Sequence, residues 1–125
     1  MLFRSAFVVI VVCRVVLVTV LCDVVEHLSG SERAGGLAVA VYALSSQFVF
    51  FNSQFAYQTM ALPLALAAVS FIARAHDSDD PMPFIGGATI CLLAVAVTHH
   101  VTSFLTAGLL LAWAMVEREI GRAHV

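Results

Sequence analysis

The feature that most constrains this chain is the length of its apolar runs. Leu2 to Leu28 is dominated by Val, Leu, Ile and Phe. A helix needs about 20 such residues to cross the hydrocarbon of a bilayer. The abundance of valine would favour a strand in water. In lipid every backbone N–H and C=O must be satisfied within the segment, so an open strand is excluded and helix is expected. Four further runs follow, at Ala34 to Phe51, about Thr59 to Ala75, Phe84 to Val97 and about Val101 to Val116. The expected fold is therefore all-α, a polytopic membrane helix bundle of about five transmembrane helices.

Composition agrees. Of the residues, 62% are hydrophobic and 11% charged, and the mean hydropathy is +1.01. A soluble domain of this size would need more charge to cover its surface. A net charge of −2 gives no reason to expect a nucleic-acid partner. The basic residues are all arginine. Cys13, Cys22 and Cys91 lie within apolar runs without a C-x-x-C pair, and read as small buried residues.

Both ends read as boundaries of a longer protein. Met1-Leu-Phe-Arg4 before an apolar run mimics a signal peptide, but Arg14 interrupts the run and no small-residue cleavage site follows. Residues 119–125, Glu119 to Val125, resemble the translation of a sequencing adapter. They are set apart as non-native, and His124 with them. Residues 1–118 are expected to be the transmembrane helical region of a larger protein.

The connections carry the polar residues. Ser29-Gly30-Ser31-Glu32-Arg33 breaks the first run, with Gly30 as the stop and Ser31 as N-cap of the next helix. Gly35 and Gly36 would let helices approach closely. Pro63 stands near the start of the third run, where a missing N–H costs least. His76 to Pro83 is a hydrophilic loop full of turn signals. Its Asp77, Asp79 and Asp80 lack the spacing of a calcium loop and read as solvated acids. Trp113 falls near the end of the last run, where an aromatic belt would lie.

Alternation sorts these connections onto two faces. One carries Asp23, Glu26, Glu32, Arg33, Arg74, Asp77, Asp79, Asp80, Glu117 and Arg118. The other carries two uncharged turns, Asn52 to Gln58 and His99-His100. Arg33, Arg74 and Arg118 put the charged face in the cytoplasm, because arginine rather than net charge sets orientation. The expected location is an integral protein of the cell membrane with its charged loops cytoplasmic.

The candidate binding residues lie at the uncharged face. Arg14 sits inside an apolar run, about 21 Å along a helix from Leu28 at ~1.5 Å per residue. A charge there either faces a ligand such as a phosphate or snorkels to the interface. Asn52, Gln54, Tyr57 and Gln58 are neutral donors and acceptors suited to a hydroxyl-rich or phosphate-bearing ligand. The plainer reading is an ordinary connecting turn. His99 and His100 point about 100° apart on one helix, a poor arrangement for sharing one metal. Hydrogen bonding to a polar headgroup or phosphate suits them better. His99 with Ser103, and Thr98 with Thr102, would share a face at i,i+4. No catalytic acid–base pair and no metal set is evident, and no nucleotide-binding or hydrolase motif is present.

Taken in order, the motifs resemble a known family. The membrane arginine Arg14 is followed by the turn Ser29-Gly-Ser-Glu-Arg-Ala-Gly35. Then come an Ala-rich helix running into Phe50-Phe-Asn-Ser-Gln-Phe-Ala-Tyr-Gln-Thr-Met-Ala-Leu-Pro63, a further apolar helix, and Val97-Thr-His-His-Val-Thr-Ser-Phe104. From roughly Cys13 to Met115 this resembles the middle transmembrane region of C-type (GT-C) integral membrane glycosyltransferases. Ser45-Ser46-Gln47 stands where that family often has a proline. The resemblance implies transfer of a sugar from a polyprenyl-phosphate donor on the extracytoplasmic side. Arg14, His99 and His100 would contact the lipid-linked phosphate, and Tyr57 with its polar neighbours would line the sugar or lipid pocket. The family's catalytic carboxylate usually lies upstream of this region, so the piece alone would be inactive. A divalent cation is compatible with the full-length enzyme, though no cofactor is evident here. The expected partners are the bilayer, the lipid-linked sugar and the remaining helices of the full-length protein. A secondary transporter and a structural subunit of a membrane complex are the competing expectations.

Overall fold

The computed structural model describes residues 2–46, 48 and 57–123. Among them are five helices and no strand: α1 (Leu2–Ser29), α2 (Glu32–Ala43), α3 (Tyr57–Asp77), α4 (Met82–Thr98) and α5 (His100–Ala123). The all-helical expectation holds. Three segments are long and apolar enough to cross a membrane, Ser5–Ser29, Tyr57–Asp77 and His100–Ile120. The 17 residues of α4 span about 26 Å at ~1.5 Å per residue, close to one hydrocarbon thickness.

The second run departs from expectation. Its helix should have reached Phe51, but α2 ends at Ala43 after 12 residues, about 18 Å at ~1.5 Å per residue. Serine is the physical reason. Ser45 Oγ donates to the Tyr42 carbonyl at 2.7 Å and accepts the Phe48 N–H at 3.3 Å. Such local bonds compete with the helical ladder. The start of α2 is as expected. Gly30 ends α1 with φ +65°, a conformation glycine adopts without steric cost. Ser31 is extended and its Oγ accepts the Ala34 N–H at 3.4 Å.

The third helix is the centre of the bundle. It packs against α1, α4 and α5, while among the described helices α2 packs on α1 alone. Its buried face is made of small residues, Ala61, Ala65, Ala68 and Ala73, with Thr59, Pro63 and Val69. In lipid, helices associate through close packing, and small side chains allow it. Pro63 lies deeper in α3 than the sequence suggested, because the helix begins at Tyr57. Lacking an N–H, Pro63 donates no i→i−4 hydrogen bond within the helix. The α3–α4 contact is close at Gly87, where a Cβ would stand 3.1 Å from the Phe71 ring.

The contacts show that the helices alternate in direction. The C-terminal ends of α1 and α3 meet, since Asp23 binds Arg74 and His27 approaches Asp77. Glu117 near the end of α5 lines a cavity with His27 and Asp77. One end of the bundle thus collects the charged residues. The other holds the α4–α5 corner and the start of α3. Outside the core the surface is apolar, with Phe7, Val12, Val15, Leu93, Val97, Phe104 and Leu105 all more than half exposed. Water would oppose such a surface and hydrocarbon would not.

Candidate functional site

The uncharged end is built from the first turns of α3 and α5. Tyr57 and Gln58 were expected in a turn, and they instead open α3. Tyr57 is exposed. Gln58 starts a stripe with Leu62, Ala65, Leu66 and Val69, spaced for one helix face. Opposite runs the stripe Thr102, Leu105, Thr106 and Leu109 of α5. Together these residues line an elongated cavity of about 230 Å³. Its polar groups, Gln58, Thr102 and Thr106, sit towards the uncharged end. Leucines and Val69 continue the lining towards the charged end.

His99 does not line this cavity but contacts Thr102, which does. It is the single extended residue between α4 and α5, with φ −155° and ψ 103°. Its Nδ1 accepts the Thr102 N–H at 3.2 Å and lies 2.8 Å from the Thr102 hydroxyl. That is the geometry of an N-cap, with imidazole in place of the usual short oxygen. The expected i,i+4 pairing of Thr98 with Thr102 fails because the helix breaks between them. Thr98 Oγ1 instead donates to Ala94 O at 2.5 Å. His99 meets Thr102 rather than the side chain of Ser103, whose N–H donates to the His99 carbonyl at 3.0 Å. His100 is exposed and its ring stacks on His99 with centroids 5.8 Å apart.

Arg14 faces the break after α2. Its Nη2 donates to the Phe48 carbonyl at 2.7 Å, and its guanidinium lies 4.8 Å from the centre of the Phe48 ring. Tyr42 meets the same ring edge-on at 5.7 Å. The arginine thus combines a charge-assisted hydrogen bond with a cation–π contact. Of the cavities described, none is lined by Arg14 together with the two histidines. Asn52 and Gln54, the remaining candidates, lie outside the described residues, as does His124.

Sequence reasoning sorted the charges onto one face but missed how they pair. Asp23 accepts from Arg74 and, at 2.9 Å, from Ser70 Oγ. His27 Nε2 is closed off from solvent and lies 3.0 Å from Asp77 Oδ2, an ion-pair contact without hydrogen-bond geometry, and it has no other partner among the described residues. Trp113 Nε1 donates to Glu117 Oε1 at 2.6 Å. The signal was present. Asp23 and His27 are spaced i,i+4 on α1, and Ser70 and Arg74 are spaced i,i+4 on α3. Two such polar faces on helices running the same way can meet. In the acidic loop, Asp80 Oδ1 accepts the Met82 N–H at 3.4 Å at the start of α4. No group of three or more His, Cys, Asp or Glu able to hold a metal occurs among the described residues.

The fold and its two ends define a class, an all-helical bundle with three helices long and apolar enough to cross a membrane. No protein-family model matches the chain, and neither does any curated protein or solved structure.

Proposed function

We propose that this chain is a membrane-embedded part of a transferase that handles a polyprenyl-phosphate-linked sugar, as the resemblance to C-type glycosyltransferases implies. The single observation that carries this reading is the amphipathic cavity between α3 and α5. It offers hydrogen-bonding groups at the uncharged end and an apolar wall below them. That order suits an isoprenoid chain with a polar head at the membrane surface. The head would meet Gln58 and Thr102, with Tyr57, His99 and His100 at the rim. Arg14 would act on the same side of the membrane by holding the segment after α2. By arginine count this face is extracytoplasmic, and the bilayer is the cell membrane.

Cross-linking tests the reading. The full-length protein in vesicles is irradiated with a photoreactive polyprenyl phosphate. Adducts are expected on Gln58 to Leu66 and Thr102 to Leu109, and excess unlabelled polyprenyl phosphate should displace them. Scattered adducts, or equal displacement by ordinary phospholipid, would refute it. One observation favours a second reading as a secondary transporter. Asp23 and Arg74 form an ionisable pair between two candidate spans, and such pairs often mark transport pathways. Counterflow of a labelled solute in vesicles separates the two.

A further inference from the structure

The charged end of the bundle holds a second pair of cavities, distinct from the lipid-like groove. Between the ends of α1, α3 and α5, a space of about 290 Å³ is lined by His27, Leu28, Ala73, His76, Asp77, Trp113 and Glu117. Beside it lies an apolar space of about 330 Å³, walled by Ile72, Pro81, Ile85 and Leu110 among others. The two share His76, Trp113 and Glu117.

The charges decide what fits. Asp77 enters from α3 and Glu117 from α5, while His27 and His76 are the other titratable groups that line the polar space. Among the described residues no arginine lines either cavity, and Arg74 nearby is held by Asp23. The lining carries two carboxylates, which disfavours an anion. Asp77 Oδ2 already lies 3.0 Å from His27 Nε2, so a cationic head would take the other oxygen of Asp77 together with Glu117. Its acids and histidines do not gather closely enough to hold a metal ion. An organic cation held in this space would face both carboxylates that line it. Glu117 is steadied through Oε1 by the Trp113 indole at 2.6 Å, and Trp113 lines both cavities, where an indole can add cation–π attraction. The adjoining apolar space would take the hydrocarbon attached to such a cation.

We infer that these joined cavities bind an amphiphile with a primary ammonium head, the head between Asp77 and Glu117 and the chain against Ile72, Ile85 and Leu110. This site lies at the opposite end from the proposed donor groove and stands independently of it.

Trp113 is the only tryptophan in the chain, so its fluorescence reports the site directly. The full chain is reconstituted in phosphatidylcholine vesicles and titrated separately with dodecylammonium, lysophosphatidylethanolamine and dodecyl sulfate. A saturable emission change with dodecylammonium and none with dodecyl sulfate is expected. Its midpoint should rise about tenfold in Glu117→Gln and in Asp77→Asn, the scale of one charge-assisted hydrogen bond. It should not move in Glu32→Gln, an exposed acid on α2. A matching response to lysophosphatidylethanolamine assigns the site to a membrane lipid, and its absence assigns it to a free amphiphilic amine. The inference is overturned by any of three results: no saturable change with dodecylammonium, the same change with dodecyl sulfate, or unmoved midpoints in both carboxylate variants.

Discussion

Gly35 and Gly36 are neighbours in the first turns of α2, and replacing each with alanine should change stability in opposite directions. A Cβ on Gly35 would stand 2.9 Å from the Cys22 carbonyl oxygen, 3.1 Å from Cys22 Sγ and 3.4 Å from Glu26 Cβ. The carbonyl belongs to the α1 backbone and cannot rotate away. The helices must separate by a few tenths of an ångström, along a contact held by dispersion that weakens steeply with distance. Overpacking of this kind costs about 1–3 kcal/mol. Against it stands a helix-propensity gain of about 1 kcal/mol for Gly→Ala. Gly35→Ala should therefore destabilise by up to about 2 kcal/mol. A Cβ on Gly36 meets nothing within 4 Å, so Gly36→Ala should stabilise by about 0.5–1 kcal/mol. The assay is unfolding of the micelle-bound chain by titrated sodium dodecyl sulfate, followed by far-UV circular dichroism. Leucine at each position enlarges the contrast, with Gly35→Leu expected to detach α2 and Gly36→Leu to be tolerated. Equal shifts of the same sign for the two alanine variants would refute the packing argument.

The remaining predictions concern the polar contacts. Asp23→Asn combined with Arg74→Gln in a double-mutant cycle should give a coupling of about 1 kcal/mol, because both side chains are about 40% exposed and solvent screening discounts the pair. A coupling near zero in the same unfolding assay would mean that the pair does not hold α1 to α3. His99→Ala should cost about 1 kcal/mol as the loss of a cap, and His99→Asn should restore most of it. Amide exchange at the start of α5 reads this directly, and unchanged protection in His99→Ala would show that the imidazole contact is dispensable.

Much of this was legible in the residues, and the limits were physical. Apolar run length alone requires helices, because hydrocarbon leaves the backbone no other partner. The Gly30 stop, the Ser31 cap and the gathering of charge at one face are local or periodic properties, and the structure bears them out. What the sequence could not supply is which faces meet. Gly35 and Gly36 are identical residues with the same local preference. Only the position of the α1 backbone makes one a contact and the other open space. Asp23 stands on a different run from Ser70 and Arg74. They become one hydrogen-bonded cluster because α1 and α3 run the same way and lie side by side. His99 read as a candidate ligand, and only the structure shows that it also caps α5, since the chain breaks helix at that residue and its Nδ1 accepts the Thr102 N–H. Secondary structure follows from each segment's contest with its solvent, whereas the cavities and pairs follow from how the helices are set against one another.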